Sequence, residues 1–384
     1  MPSNSSPEPG FARDRFVLPR APDGGDAVYL AGNSLGAQPR SARAALLSAV
    51  DDQWARVGVA GWEECGWWAT PQRLGDRVGA LVGAAPGQVV VGDSTSVQLF
   101  GALIAAARLR PDRGVLLSDA GHFPTDRYLA TSVARLTGLE LVTGAPPAMA
   151  PDAGTAVVAV PAVDFRTGER WDLGAITARA HEAGAVVVAD LSHAAGVLPV
   201  ELDALGVDLA VGCTYKYLNG GPGAPAFAYV AAHHHDALDP PLTGWTGHAD
   251  PFGMTEAWTP APGVGRLRVG TPPMLSMLAL DGALEVFDGV HLAGVHAASL
   301  ALGDAFLAAL PPAVEVVTPR EHARRGGHVA VRVRDADGMC AALARRGVVV
   351  DARPPDLLRF GFAAPYVTLD DARTAARELA ALLP

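Results

Sequence analysis

A single lysine, Lys216, stands among 30 basic residues, and all the others are arginine. It lies in Gly212-Cys213-Thr214-Tyr215-Lys216-Tyr217-Leu218-Asn219-Gly220-Gly221-Pro222-Gly223, a glycine-rich turn directly after a short apolar run. Desolvation and nearby charge can make a lysine in such a place a nucleophilic amine and a general base. Arginine cannot replace it as an imine former, because the guanidinium stays protonated and delocalised. Upstream, the run Val186-Val187-Val188-Ala189 ends on Asp190, followed by Ser192 and His193. A carboxylate closing a buried strand needs a cation or several donors, and a protonated heteroaromatic nitrogen is one such partner. Further upstream, Val89-Val90-Val91 leads into Gly92-Asp93-Ser94-Thr95-Ser96 and a helical segment, Val97 to Leu103. Those hydroxyls can cap the helix or cradle a phosphate at its positive end. Phosphate cradle, pyridinium partner and imine-forming lysine, in that chain order at successive strand ends, describe a site for pyridoxal 5'-phosphate (PLP).

The elements that must position these residues are readable between about 85 and 235. Short apolar runs, Val89–Val91, Val115–Leu117, Leu139–Val142, Ala156–Val160, Ala185–Ala189, Leu209–Val211 and Ala226–Val230, alternate with longer Ala/Leu/Arg segments of helical spacing. Continuous apolar strands separated by helices predict an α/β layer with a mostly parallel sheet of seven strands, covered on both faces. Ligands in such sheets bind beyond the carboxyl ends of the strands. After about 275 the pattern changes to a long helical stretch, Met277 to Leu310, then strands at Val314–Val317, Gly327–Val333, Val348–Val350 and Leu357–Phe360 around a helix near Met339 to Arg346, and a last helix. That order predicts a smaller α+β domain. The expected division is 46–275 for the large domain, with 1–45 (an N-terminal arm) and 276–384 forming the small one.

Composition removes several classes of function. The net charge of −10, with no basic run, argues against nucleic acid or an anionic membrane as the main partner. With 49% hydrophobic residues over 384 positions the chain can bury a large core, and no uninterrupted apolar run approaches the ~18 residues of a membrane span. Residues 1–10 lack a basic and an apolar region and are expected to be a short disordered tail rather than a signal. Three widely spaced cysteines, Cys65, Cys213 and Cys340, fit reduced thiols in a cytoplasmic protein. His233-His234-His235 suggests a metal, but three adjacent histidines after a strand are expected to form a solvated loop, and no metal site is expected.

Five separated motifs resemble the kynureninases, a family of aspartate-aminotransferase-like, fold type I PLP enzymes. Tyr29-Leu-Ala-Gly-Asn-Ser-Leu-Gly36 is similar to their Asn-Ser-Leu-Gly motif, and Phe123-Pro-Thr-Asp126 to their Phe-Pro-Ser-Asp. Asp190-Leu-Ser-His-Ala194, Thr214 to Gly223 and Gly244-Trp-Thr-Gly-His248 match the family in the same order, with Thr214 where serine is common. The resemblance implies that Thr95 and Ser96 hold the PLP phosphate, that Phe123 stacks on the ring with Asp126 nearby, and that Asp190 pairs with the pyridinium nitrogen. It implies His193 beside the cofactor, Tyr215 on the phosphate and in proton transfer, and Lys216 as the imine-forming residue. Trp245 and Thr271 would reach the phosphate of the neighbouring subunit in a homodimer with shared active sites. Arg359 would take the substrate α-carboxylate, a group that suits its bidentate fork, and Trp67, Trp68 and His248 would lie toward the substrate's aromatic end. Pro161 stands where the family often has serine or threonine.

The implied reaction is hydrolysis of L-kynurenine, 3-hydroxy-L-kynurenine or both to L-alanine and an anthranilate. Lys216 would act as the base at the α-carbon and Tyr215 as the later proton relay. Two other readings stay open at this stage. A cysteine-desulfurase-like lyase shares the lysine and aspartate but needs a loop cysteine, whereas Cys340 falls in a helical segment. A non-catalytic PLP-fold binding protein would have no need of Lys216, Asp190 and Tyr215 together.

Overall fold

The computed structural model describes residues 13–383; the expectation for residues 1–10 lies outside that range. Its centre is a seven-stranded sheet. The strands are β1 (Val89–Val91), β2 (Val115–Asp119), β3 (Glu140–Gly144), β4 (Thr155–Pro161), β5 (Val186–Asp190), β6 (Leu209–Gly212) and β7 (Phe227–Val230). Their spatial order is β1-β7-β6-β5-β4-β2-β3. All pairings among β2 to β6 are parallel, and only β7 runs against its neighbours β1 and β6. Both faces of the sheet are buried except along the exposed edge strand β3, which is why the inner runs show no polar alternation. Along β5, Val187 and Ala189 join one core cluster while Val186 and Val188 join the other. The helix Thr95–Arg108 covers the second face with Leu99, Leu103 and Ile104.

Because β1 through β6 point the same way, the segments following Val91, Asp119, Pro161, Asp190 and Gly212 emerge at one edge of the sheet. That shared polarity gathers residues scattered over more than a hundred positions.

The C-terminal part holds an antiparallel sheet of β8 (His328–Arg332), β9 (Asp351–Arg353) and β10 (Leu357–Gly361), with β10 central. Helices Leu292–Ala309 and Leu369–Ala380 pack together on it, with Phe306 against Phe360 and Phe362 at ring separations of 4.4 and 5.6 Å. Leu292–Ala309 is long and apolar enough by composition to cross a membrane, but Val295, Leu302 and Phe306 lie in the core. The stretch expected to be one helix from Met277 to Leu310 is two, Met274–Leu284 and Leu292–Ala309, broken where Asp288 turns extended and Gly289 takes φ +73°. The strand expected at Val314–Val317 reduces to a single bridge, Val316 to Val331.

The N-terminal arm crosses between the two parts. Val28–Tyr29 pairs in parallel with Val348–Val349. Further on, the Gly36 N–H donates to the Tyr215 carbonyl at 2.8 Å. A Cβ on Gly36 would meet the Lys216 carbonyl oxygen and Asn219 Oδ1, each at 2.3 Å, so only glycine allows the arm to lie against the lysine turn. Gly36→Ala is therefore expected to cost about 1–3 kcal/mol through overpacking, read as a lower urea midpoint. An unchanged midpoint would show that the arm is not pinned there.

Candidate active site

The edge where β1 to β6 end opens into a cavity of about 420 Å³. Thr95, Ser96, Phe123, Asp126, Asp190, His193, Tyr215 and Lys216 all line it, and so do Ser34, His122, Pro161, Phe165, Ser192 and Arg353. The first eight are expected from sequence. Pro161 pairs with Asp190 in the sheet and supplies no N–H to the cavity.

Ser94 alone takes the capping role, its Oγ accepting from Val97 N–H at 3.4 Å. Thr95 and Ser96 are left at the positive end of a 14-residue helix, and among the described residues their hydroxyls have no protein partner. On the opposite wall, Asp190 Oδ1 accepts from the Ser192 N–H at 2.9 Å and from its Oγ at 2.6 Å. Oδ2 accepts no hydrogen bond from the described residues. Burial, then the neighbouring Asp126, push the Asp190 carboxyl up, while His122, Lys216 and Ser192 work against them. His122 Nδ1 lies 2.7 Å from Asp126 Oδ2. Burial opposes protonation of His122, yet Asp126, Asp190 and Asp119 outweigh it and raise its pKa.

Lys216 Nζ sits 3.0 Å from His193 Nε2. Burial first, then Lys216 and Arg359, hold His193 well below the usual imidazole range. Its ring is therefore neutral, and Nε2 accepts from the lysine ammonium. The ring proton falls on Nδ1, which is buried without a partner among the described residues. Burial, followed by the Cys213 thiol and the carboxylates of Asp190 and Asp126, raises Tyr215, so its phenol keeps its proton. Phe123 meets Phe165 edge-on at 5.1 Å.

Arg359 does not line the cavity. It is fully buried, its Nε donating to Asp351 Oδ1 at 2.7 Å and its Nη2 to Asp351 Oδ2 and to Ser34 Oγ, the latter at 2.7 Å; Nη1 donates to the Phe165 carbonyl. Burial alone would raise Asp351, but the Arg359 fork, Arg353 and Ser34 hold it below the usual carboxylate range. The guanidinium on the wall is Arg353, held toward Ser34 at 3.3 Å. Arg359 stands directly behind the wall, reaching it through Ser34. Sequence reasoning missed Arg353 and Phe165, and nothing in their spacing marks them.

Trp68, Trp245, Thr271 and His248 are not brought to this cavity in their own chain. Trp68 packs on Trp245 and Phe252 at 5.4 Å each, beneath the guanidinium of Arg268 at 4.6 Å. Thr271 lines a separate small pocket with Thr246 and Arg268. His248 bonds locally, to Asp250 and around Ala257. Trp67 is a packing residue, its indole N–H on Gln53 Oε1 at 2.7 Å.

The donor set fits PLP. One cavity holds a primary amine, a buried carboxylate with an open oxygen and two unpaired hydroxyls at a helix start. No cysteine lines it. Cys340 is tied in its helix, Sγ to the Val350 carbonyl at 3.3 Å. Sheet, second domain and cavity together define a fold type I PLP-dependent enzyme. Solved structures agree on the fold. An Escherichia coli cysteine desulfurase matches at TM-score 0.79 with 20% identity, covering 97% of this chain and 98% of that one. A cystine lyase variant, C-DES with glycine covalently linked to its PLP cofactor, matches at 0.80 with 16% identity over 96% and 99%. Residues 295–379 match the kynureninase C-terminal domain. Kynureninases from Deinococcus radiodurans and Burkholderia pseudomallei (strain 1106a) are 46% and 41% identical, each over 97% of this chain and 92% and 91% of theirs. The chain belongs to the kynureninase family. It is a PLP-dependent hydrolase.

Behind His193, at a ring separation of 5.5 Å, lies His328. Both of its nitrogens are buried without partners, and burial, then Arg359, depress its pKa to about 3. Unfolded, it would take a proton near pH 6.5. The unfolded state therefore binds the extra proton between about pH 6.5 and 3, and stability must fall with pH across that window. Urea midpoints of the holoenzyme are expected to drop as pH falls from about 7 to 5, and to drop less steeply in His328→Leu. Parallel slopes would dismiss His328 as a contributor.

Proposed function

We propose that this chain hydrolyses the side-chain carbon–carbon bond of L-kynurenine, of its 3-hydroxy form or of both, releasing L-alanine and the corresponding anthranilate. The observation that carries the reading is the meeting of Lys216, Asp190 and Tyr215 in one cavity with the free hydroxyls of Thr95 and Ser96, in a chain related over nearly its full length to kynureninases. PLP, when bound, supplies an aldehyde that joins the substrate amine and a ring that accepts the electron pair left at the α-carbon.

The protein's residues then have separate tasks. Thr95 and Ser96 hold the phosphate with the helix N-terminus behind them. Asp190 would offer its open oxygen to the ring nitrogen, where a carboxylate favours the protonated form. Phe123 covers a ring face. Lys216 takes and returns the α-proton, and His193, neutral, accepts from its ammonium and holds the amine on the wall. Tyr215, with its phenol pKa raised, donates protons when the carbon fragment leaves. Arg353, on the wall beside Ser34, would meet the substrate carboxylate, backed by Arg359 in its pair with Asp351.

The reading includes a homodimer with shared sites. Trp245, Thr271, Trp68 and His248 stand outside their own cavity, and an exposed aromatic cluster lies among them, with Trp245 41% and Phe252 68% exposed. A second copy covering that surface would complete the neighbouring cavity with Trp245 and Thr271. The cytoplasm is the proposed location, in keeping with three unpaired cysteines.

Lys216→Arg is expected to abolish release of anthranilate from both substrates, followed by fluorescence, with the circular dichroism spectrum unchanged. Cleavage of neither substrate by the parent enzyme would overturn the substrate assignment. For the shared site, Lys216→Ala and Trp245→Ala chains are expected to be inactive or weak alone, and to regain activity when mixed, unfolded and refolded together. Mixed chains that stay at the average of the two would show that each cavity is built from one chain.

A further inference from the structure

At the opposite edge of the sheet, where β6 begins, Asp208 is buried to 3% exposure. Its Oδ2 accepts from the Val187 N–H at 2.8 Å and from His181 Nε2 at 2.9 Å. Its Oδ1 faces two adjacent histidines, with His234 Nε2 at 2.8 Å and His233 Nε2 at 3.7 Å. One carboxylate oxygen of Asp208 and one ring nitrogen of each histidine lie within 4.8 Å of one another. The expectation that the histidine triplet is a solvated loop therefore holds only for part of it: His235 turns away to the Val230 carbonyl at 3.0 Å, while its two neighbours converge on one carboxylate oxygen.

We propose that Asp208, His233 and His234 form a binding site for a divalent transition metal ion, zinc in the first instance. Ligands at about 2.0–2.2 Å in tetrahedral array put donor atoms roughly 3.3–3.5 Å apart, and the observed 2.8 and 3.7 Å bracket that spacing. Two imidazoles and one carboxylate oxygen favour zinc, nickel or copper over magnesium or calcium. The second oxygen of Asp208 is already held by the Val187 N–H and His181, the outer contacts that orient a ligating carboxylate. His233, with a side chain 64% exposed, leaves the fourth position open to water. Among the charges that act on His233 is Arg110, whose guanidinium is engaged by the carbonyls of Gly184 and Leu109.

Such an ion ties the turn after β7 to the start of β6, with His181 bringing the end of the helix Leu173–Glu182 alongside. The whole of β6 separates it from the lysine turn, so it stabilises the sheet and takes no part in turnover. Holoenzyme stripped with a chelator and dialysed against zinc chloride is expected to take up zinc and to gain thermal midpoint in a saturable way, since an ion that binds only the folded state stabilises it. His233→Ala, an exposed position, should lose at least about tenfold in zinc affinity and lose the midpoint gain, with kynurenine turnover unchanged. His235→Ala should keep both. Equal zinc uptake by the parent and His233→Ala, absence of a midpoint gain, or loss of binding in His235→Ala would each overturn the site.

Discussion

The ion pair between Arg359 and Asp351 is the constraint on which the rest of the site hangs. Arg359 is fully buried and Asp351 largely so, and removing one partner of a buried pair costs about 3–5 kcal/mol. The pair is satisfied only by groups from three parts of the chain. Both charges belong to the small antiparallel sheet, Ser34 comes from the N-terminal arm and the Phe165 carbonyl from the large domain. The contacts that neutralise Arg359 are therefore the contacts that close the two domains around the cavity. The guanidinium is fixed behind the cavity wall, and the one that lines the wall is Arg353, held toward the same Ser34.

Across the cavity the problem is reversed. Asp126 and Asp190 are both buried, and each raises the cost of the other's charge. His122, its pKa lifted by these carboxylates, and Lys216 both work against the rise in the Asp190 carboxyl. The pocket is thus balanced by residues from the segments after β2, β5 and β6. A cofactor nitrogen arriving with a proton meets a carboxylate whose oxygen is open and whose charge still lacks a close partner. The neutral state of His193 belongs to the same balance: with Lys216 and Arg359 nearby, a further cation in that position is disfavoured.

The strands other than β3 were legible in the sequence because burial on both faces leaves them as largely apolar runs, the exposed edge strand β3 showed as a short apolar stretch around Glu140, and parallel order brings the strand ends together. The cavity residues read from those ends, Thr95, Ser96, Asp190, His193, Tyr215 and Lys216, are there for that reason, while Phe123 and Asp126 followed from the family resemblance. Phe165, Arg353 and the sequestration of Arg359 were not legible, since they depend on the docking of segments more than 150 positions apart, which no local period records. The helix break at Asp288-Gly289 was written in the residues and overridden by the apolar content on either side. The convergence of His233 and His234 depends on where Asp208 and the turn come to rest, again a tertiary fact.

The lone lysine takes on a different meaning once its neighbours are known. On a surface, arginine serves as well as lysine, and the chain uses arginine everywhere else. At 216 the side chain must donate to a neutral imidazole, lie against the ring of Tyr215 at 5.9 Å and still be able to give up its proton and form a bond to carbon. A guanidinium could satisfy the first two demands. It fails the third, because its charge does not titrate in proteins. What holds lysine at this position is therefore the chemistry required of the nitrogen, and the packing around it, with Gly36 pressed against the Lys216 carbonyl, serves to keep that nitrogen where the strand ends converge.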